Sequence, residues 1–158
     1  MSKITVKYTL LVCIFTFWAN SLFAQNYALQ LDGKDNNVRT GIGFLEPPWT
    51  IEAWIMGNDI QWKPCEIVFG GGEYSTFKKS DNFPLVIKDG KLYSTKAGVH
   101  SHKLLDDNWH HVALSCNIDS VYLYMDGILE DKKDTSLTII PGVLGASEVS
   151  ETVFGGYI

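Results

Sequence analysis

From residue 27 onward, apolar and polar positions alternate with a two-residue period, the signature of strands buried on one face. Trp109, His111, Ala113 and Ser115 share one parity, and His110, Val112, Leu114 and Cys116 share the other. Two faces of one strand follow. A second strand, Val121 to Met125, runs into Asp126-Gly127 and then Ile128 to Glu130; Asp-Gly supplies the positive φ angles of a two-residue hairpin. Phe83 to Ile87 and Leu92 to Thr95 flank Asp89-Gly90 in the same way. Trp49, Ile51, Ala53 and Ile55 form an apolar face, and Trp54 and Met56 make the other face apolar too, which predicts a central strand covered on both sides. Pro47-Pro48 marks its start, because proline brings no ladder donor.

The remaining elements are shorter. Tyr27, Leu29 and Leu31 predict an opening strand that ends in the Asp32 to Asn37 turn cluster. One short strand, Glu66 to Phe69, lies inside the irregular stretch from Gly57 to Asn82. Asp106-Asp107-Asn108 is a turn, and Leu137 to Ile140 and Val153 to Tyr157 are the last strand candidates. No amphipathic helix stands out. Short strands, frequent turns and many aromatic and β-branched residues predict an all-β sandwich.

The first residues change the picture of the whole chain. Lys3 and Lys7 precede an apolar run from Leu10 to Trp18, followed by Asn20-Ser21 and the small residue Ala24. This is the pattern of a secretory signal peptide over residues 1–24, too short in its apolar part for a membrane helix, with the mature chain starting at Gln25. Cys13 lies inside the run and does not follow it, which argues against a lipid anchor. The expected product is secreted or held in the cell envelope and is not an integral membrane protein. Residues 25–158 then form one domain, with 11 basic against 18 acidic residues once Lys3 and Lys7 are removed. Nucleic acid is excluded as a partner, because no basic stripe faces a phosphate backbone.

Cleavage leaves Cys65 and Cys116, an even count in an oxidising compartment. Either they form a disulfide or they are two buried thiols. His100, His102 and one of His110 and His111 raise zinc, yet adjacent residues on a strand point to opposite faces and no further ligand stands at diagnostic spacing. One of that pair is expected in the core and the other half-exposed. Trp62 and Tyr74 fall in the irregular stretch and are the candidate ligand contacts; the other aromatics sit at strand positions, where core packing accounts for them.

Several motifs, taken in order, resemble the laminin G-like, concanavalin A-like jelly-roll modules of secreted bacterial proteins. These are Ala28-Leu29-Gln30-Leu31-Asp32-Gly33, Trp49-Thr50-Ile51-Glu52-Ala53-Trp54-Ile55, Lys88-Asp89-Gly90-Lys91-Leu92, Trp109-His110-His111-Val112-Ala113-Leu114, Tyr124-Met125-Asp126-Gly127 and Val153-Phe154-Gly155-Gly156. The resemblance implies an antiparallel two-sheet jelly-roll sandwich that binds carbohydrate or a surface protein, as part of a larger extracellular protein. A non-binding spacer and a jelly-roll glycoside hydrolase are the alternatives. The hydrolases of this fold carry tandem acids on one strand; here Glu52 stands alone, so no catalytic residue is assigned, and Glu52 is expected as a hydrogen-bonded strand residue inside the sandwich. The resemblance also raises calcium, for which Asp32, Asp35 and Asn36 are the best oxygen donors, though the same residues make an ordinary turn. Finally, it implies that a further strand follows Gly155-Gly156 and pairs with the N-terminal region; here the sequence stops at Tyr157-Ile158, so the domain is expected to be C-terminally incomplete, the alternative being a shorter sandwich whose last strand is Val153 to Tyr157. Loss of the further strand would leave an unpaired edge beside Tyr27 to Leu31.

Overall fold

The computed structural model describes residues 27–34, 36–57, 66–71, 83–103, 105–145 and 154–158. Twelve strands run through them: β1 (Gln30–Asp32), β2 (Val38–Arg39), β3 (Trp49–Gly57), β4 (Glu66–Gly70), β5 (Leu85–Lys88), β6 (Lys91–Ser94), β7 (Val99–His100), β8 (His110–Cys116), β9 (Val121–Met125), β10 (Ile128–Lys133), β11 (Val143–Leu144) and β12 (Gly155–Tyr157). They form two six-stranded antiparallel sheets, ordered β1-β12-β3-β8-β9-β10 and β2-β11-β4-β5-β6-β7. No helix occurs among the described residues. This is the expected two-sheet sandwich.

The inner face of the first sheet carries Trp49, Ile51 and Ile55 from β3, Val112, Leu114 and Cys116 from β8, and Val121, Leu123 and Met125 from β9. They pack against Val68, Leu85, Ile87, Leu92 and Val99 of the second sheet in one core. Ile67, Phe83 and Val86, with Tyr93 against them, form a separate cluster built on the opposite parity. The middle of the second sheet is therefore buried on both faces, which is why all of β4 is buried.

Both Asp-Gly hairpins form as expected. Asp89 and Gly90 have φ of 51° and 72°, and Asp126 and Gly127 have 52° and 77°, so positive φ at both central positions matches the twist of the flanking strands. Around Asp126-Gly127, β10 outruns its predicted end because Glu130 is an extra residue between the pairs Leu129↔Tyr124 and Asp131↔Leu123, a bulge that lets pairing resume through Lys133.

Three expectations need correction. β3 is central in its sheet but not covered on both sides: Trp54 is 57% exposed. Leu137 to Ile140 makes only a bridge, Ile139↔Leu45, because Pro141 stops a ladder from developing. The opening strand starts at Gln30, with Tyr27 exposed. β12 lies between β1 and β3, with Gln30↔Tyr157 on one side and Tyr157↔Met56 on the other, and Leu29 and Ile158 exchange two backbone hydrogen bonds of 2.9 Å, which leaves β1 as the outermost strand of its sheet.

Candidate functional site: an aromatic sheet face and its polar brace

The residues of β3, β8 and β9 that do not enter the core form the outer face of the first sheet. Cross-strand register arranges them in rows: Thr50↔Ser115↔Tyr122↔Lys132, Glu52↔Ala113↔Tyr124↔Leu129, Trp54↔His111, and Met56↔Tyr157↔Gln30. Trp109, just ahead of β8, shares the parity of His111 and is 41% exposed. Its ring centroid lies 6.1 Å from that of Tyr157. The Trp54 ring is tilted at 55° against the His111 imidazole with centroids 5.3 Å apart, and His111 Nε2 stands 3.6 Å from Glu52 Oε2. Tyr122 and Tyr124 stack along β9 at 6.4 Å, and Lys132 Nζ lies 5.6 Å above the Tyr122 ring. Thr50 and Ser115 hydrogen-bond through their hydroxyls at 2.9 Å. The face thus combines rings with donors and acceptors, and several of its rings remain open to water.

A polar brace holds one end of this face. His110 points inward and is 4% exposed, while His111 is half-exposed, the opposite placement expected of adjacent strand residues. His110 Nδ1 lies 2.9 Å from Asp126 Oδ2, and Nε2 lies 3.0 Å from Asp106 Oδ1 and 3.4 Å from the Asp106 N–H. An imidazolium donates to both carboxylates; a neutral ring donates to one and accepts the Asp106 N–H at its other nitrogen. The second Asp126 oxygen accepts the His111 N–H at 3.1 Å, and the Asp126 N–H donates to the His111 carbonyl at 2.8 Å. Lys103 Nζ completes the set, 2.9 Å from Asp126 Oδ2. Burial alone would raise the Asp126 carboxyl, but the bonds from His110, Lys103 and the His111 N–H outweigh it and hold the group at about 2. The Asn108 N–H and the His110 ring likewise lower Asp106, and the bond to Asp126 raises Lys103.

The same corner ties the two sheets together at their β7 and β10 edges. Glu130 Oε2 accepts the N–H groups of His102 and Lys103 at 2.7 and 3.1 Å, and Asp131 Oδ2 accepts the His100 N–H at 3.1 Å. The bulge at Glu130 gives two successive carboxylates access to the neighbouring edge. His100, stacked on Tyr93 at 5.5 Å, has its Nδ1 3.7 Å from Asp131. Of the histidine rings, His110 hydrogen-bonds carboxylates, whereas the His100 ring stands 3.7 Å and the His102 ring 3.9 Å from theirs. No group of three or more metal-type ligands converges among the described residues.

Other sequence candidates fall differently. Asp32 Oδ1 accepts the N–H groups of Lys34 at 2.9 Å and Asn36 at 3.4 Å, so Asp32 and Asn36 act together as a turn. Asp35 lies outside the described residues. Trp62, Tyr74 and Cys65 also lie outside them. Cys116 is a buried free thiol that donates to the Asn117 carbonyl at 3.1 Å. Glu52 is on the outside of the sandwich, not within it: its side chain is exposed, with His111 Nε2 3.6 Å away. Sequence reasoning assigned Trp54, Trp109, Tyr122 and Tyr124 to packing. Parity was the signal against this, since Trp54 shares its face with Thr50 and Glu52, while Trp49, Ile51 and Ile55 take the other.

The fold and this face describe a two-sheet jelly roll with an open aromatic surface. A profile described as the concanavalin A-like lectin/glucanases superfamily, of laminin G type, matches residues 25–158. The chain belongs to that family, whose members serve in general as carbohydrate- or protein-binding modules. No curated protein matched it.

Proposed function

We propose that the chain is an exported, non-catalytic binding module that takes carbohydrate on the outer face of the β1-β12-β3-β8-β9-β10 sheet. The observation that carries this reading is the exposed Trp54 ring set against His111, which in turn faces Glu52. An indole offers a flat apolar surface to the C–H groups of a sugar, while the imidazole and carboxylate beside it exchange hydrogen bonds with hydroxyls. Glycoside hydrolysis needs a second carboxylate across the scissile bond. Across β3, β8 and β9, Glu52 is the outer face's carboxylate, and its row continues with Ala113 and Tyr124. Export rests on the residue 1–24 pattern. A surface protein is the second partner class, favoured by exposed Leu129 beside Tyr124.

The test is retention of the exported protein on insoluble cellulose, mannan and chitin, with its intact mass taken. A mass beginning at Gln25 and retention weakened by Trp54→Ala are the expected results. Retention on none of the three, or a Met1 start, contradicts the corresponding half of the reading.

A further inference from the structure

We infer that the outer face is an extended site for a neutral, β-linked hexopyranose chain several units long, running diagonally across the strands from Tyr157 and Trp109 to Tyr122. This rests on the carbohydrate reading above and adds ligand length, direction and charge. The rings do not form a single patch. Tyr157 and Trp109 stand in the first position, Trp54 and His111 one row on, Tyr124 the next row and Tyr122 the last. Each step moves two residues along the strands, and the whole path crosses from β12 to β9. With strands ~4.8 Å apart and a rise of ~3.4 Å per residue, six residues along and three strands across give a stripe of roughly 25 Å. A single sugar covers one ring pair. A chain covers the stripe.

Linkage and charge follow from the same surface. Equatorial β-linkages give flat, extended ribbons whose faces meet a sheet surface at successive rings, whereas α-linked chains coil away from it. The polar groups interleaved with the rings are Thr50 and Ser115, His111 with Glu52, and Lys132. Glu52 and Lys132 bring one charge of each sign to the rows, and Lys132 is itself paired with Asp134 at 2.9 Å. With Asp134 the acids outnumber the base, so the face offers no positive field to attract a polyanion.

Tyr122→Ala separates this inference from the general reading, because Tyr122 lies at the far end of the stripe from Trp109. Titration calorimetry of the exported protein with β-1,4-linked oligomers of glucose, mannose and N-acetylglucosamine, from two to six units, reads the length dependence. For at least one of these sugars, affinity should rise about tenfold or more from two units to six, as added rings engage. Tyr122→Ala should weaken the six-unit oligomer about tenfold and leave the two-unit oligomer nearly unchanged. Urea unfolding of the variant confirms that the fold is intact. Affinity that is flat with length, or equal loss of long and short oligomers in Tyr122→Ala, overturns the extended site while carbohydrate binding stands. Absence of binding to every oligomer overturns both, as does self-association that Trp54→Ala abolishes.

Discussion

His110 Nδ1 and Asp126 Oδ2 meet at 2.9 Å, joining the buried side of β8 to the tip of the β9–β10 hairpin. The same carboxylate holds the His111 backbone, so one side chain fixes a core histidine and the strand position of the outer-face imidazole together. Packing and the candidate site are thereby coupled through a turn residue.

Asp126→Asn keeps the turn's shape but removes the charge that faces His110 and Lys103. It should destabilise the fold by about 2 kcal/mol at neutral pH, the usual scale for hydrogen bonds to a charged partner. Because the folded carboxyl lies at about 2, below its unfolded value, its contribution is complete above pH ~4 and is lost as pH falls toward 2. Urea midpoints of the wild type and Asp126→Asn, measured from pH 7 to 2, should differ at neutral pH and converge at the acid end. A constant gap across that range would show that the carboxylate's charge is not what stabilises.

Glu130→Ala removes the acceptor of the His102 and Lys103 N–H groups. Their hydrogen exchange should speed up by about tenfold or more, while amides of β8 stay protected. Unchanged exchange at both positions would mean that the β7 edge is held by other contacts.

Gly156→Ala tests the placement of β12. A Cβ there would come within 2.2 Å of the Met56 carbonyl oxygen and 3.1 Å of Gly57 Cα, backbone atoms that no rotamer change can move. Forcing β12 from β3 should cost about 3 kcal/mol. Gly43→Ala, where nothing lies within 4 Å, is the control and should shift stability by no more than about 0.5 kcal/mol. Equal urea midpoints for the two variants would contradict the β12–β3 pairing.

Strand alternation and Asp-Gly turns made the sandwich legible in the sequence, since they act between near neighbours. The long-range pairings were not: nothing local marks Tyr157 as the partner of both Gln30 and Met56. The site was misread for a different reason. Trp54 was counted as apolar and hence buried, although its parity placed it with Thr50 and Glu52. Glu130 and Asp131 gave no sequence signal, because their partners are backbone N–H groups on a distant strand.

Four tryptophans, Trp49, Trp54, Trp62 and Trp109, lie within residues 25–158, and each has one indole N–H signal that a Trp→Phe variant assigns. Trp49 donates its indole N–H to the Leu137 carbonyl at 2.8 Å from within the core, whereas Trp54 and Trp109 stand on the outer face. Two-dimensional proton–nitrogen NMR during titration with a bound β-1,4-linked oligomer tests the central claim most directly. The Trp54 and Trp109 signals should move together and saturate at one ligand concentration, with Trp49 fixed. Movement of Trp62 alone, with Trp54 and Trp109 unmoved, would place the site in the irregular segment and contradict the outer-face account.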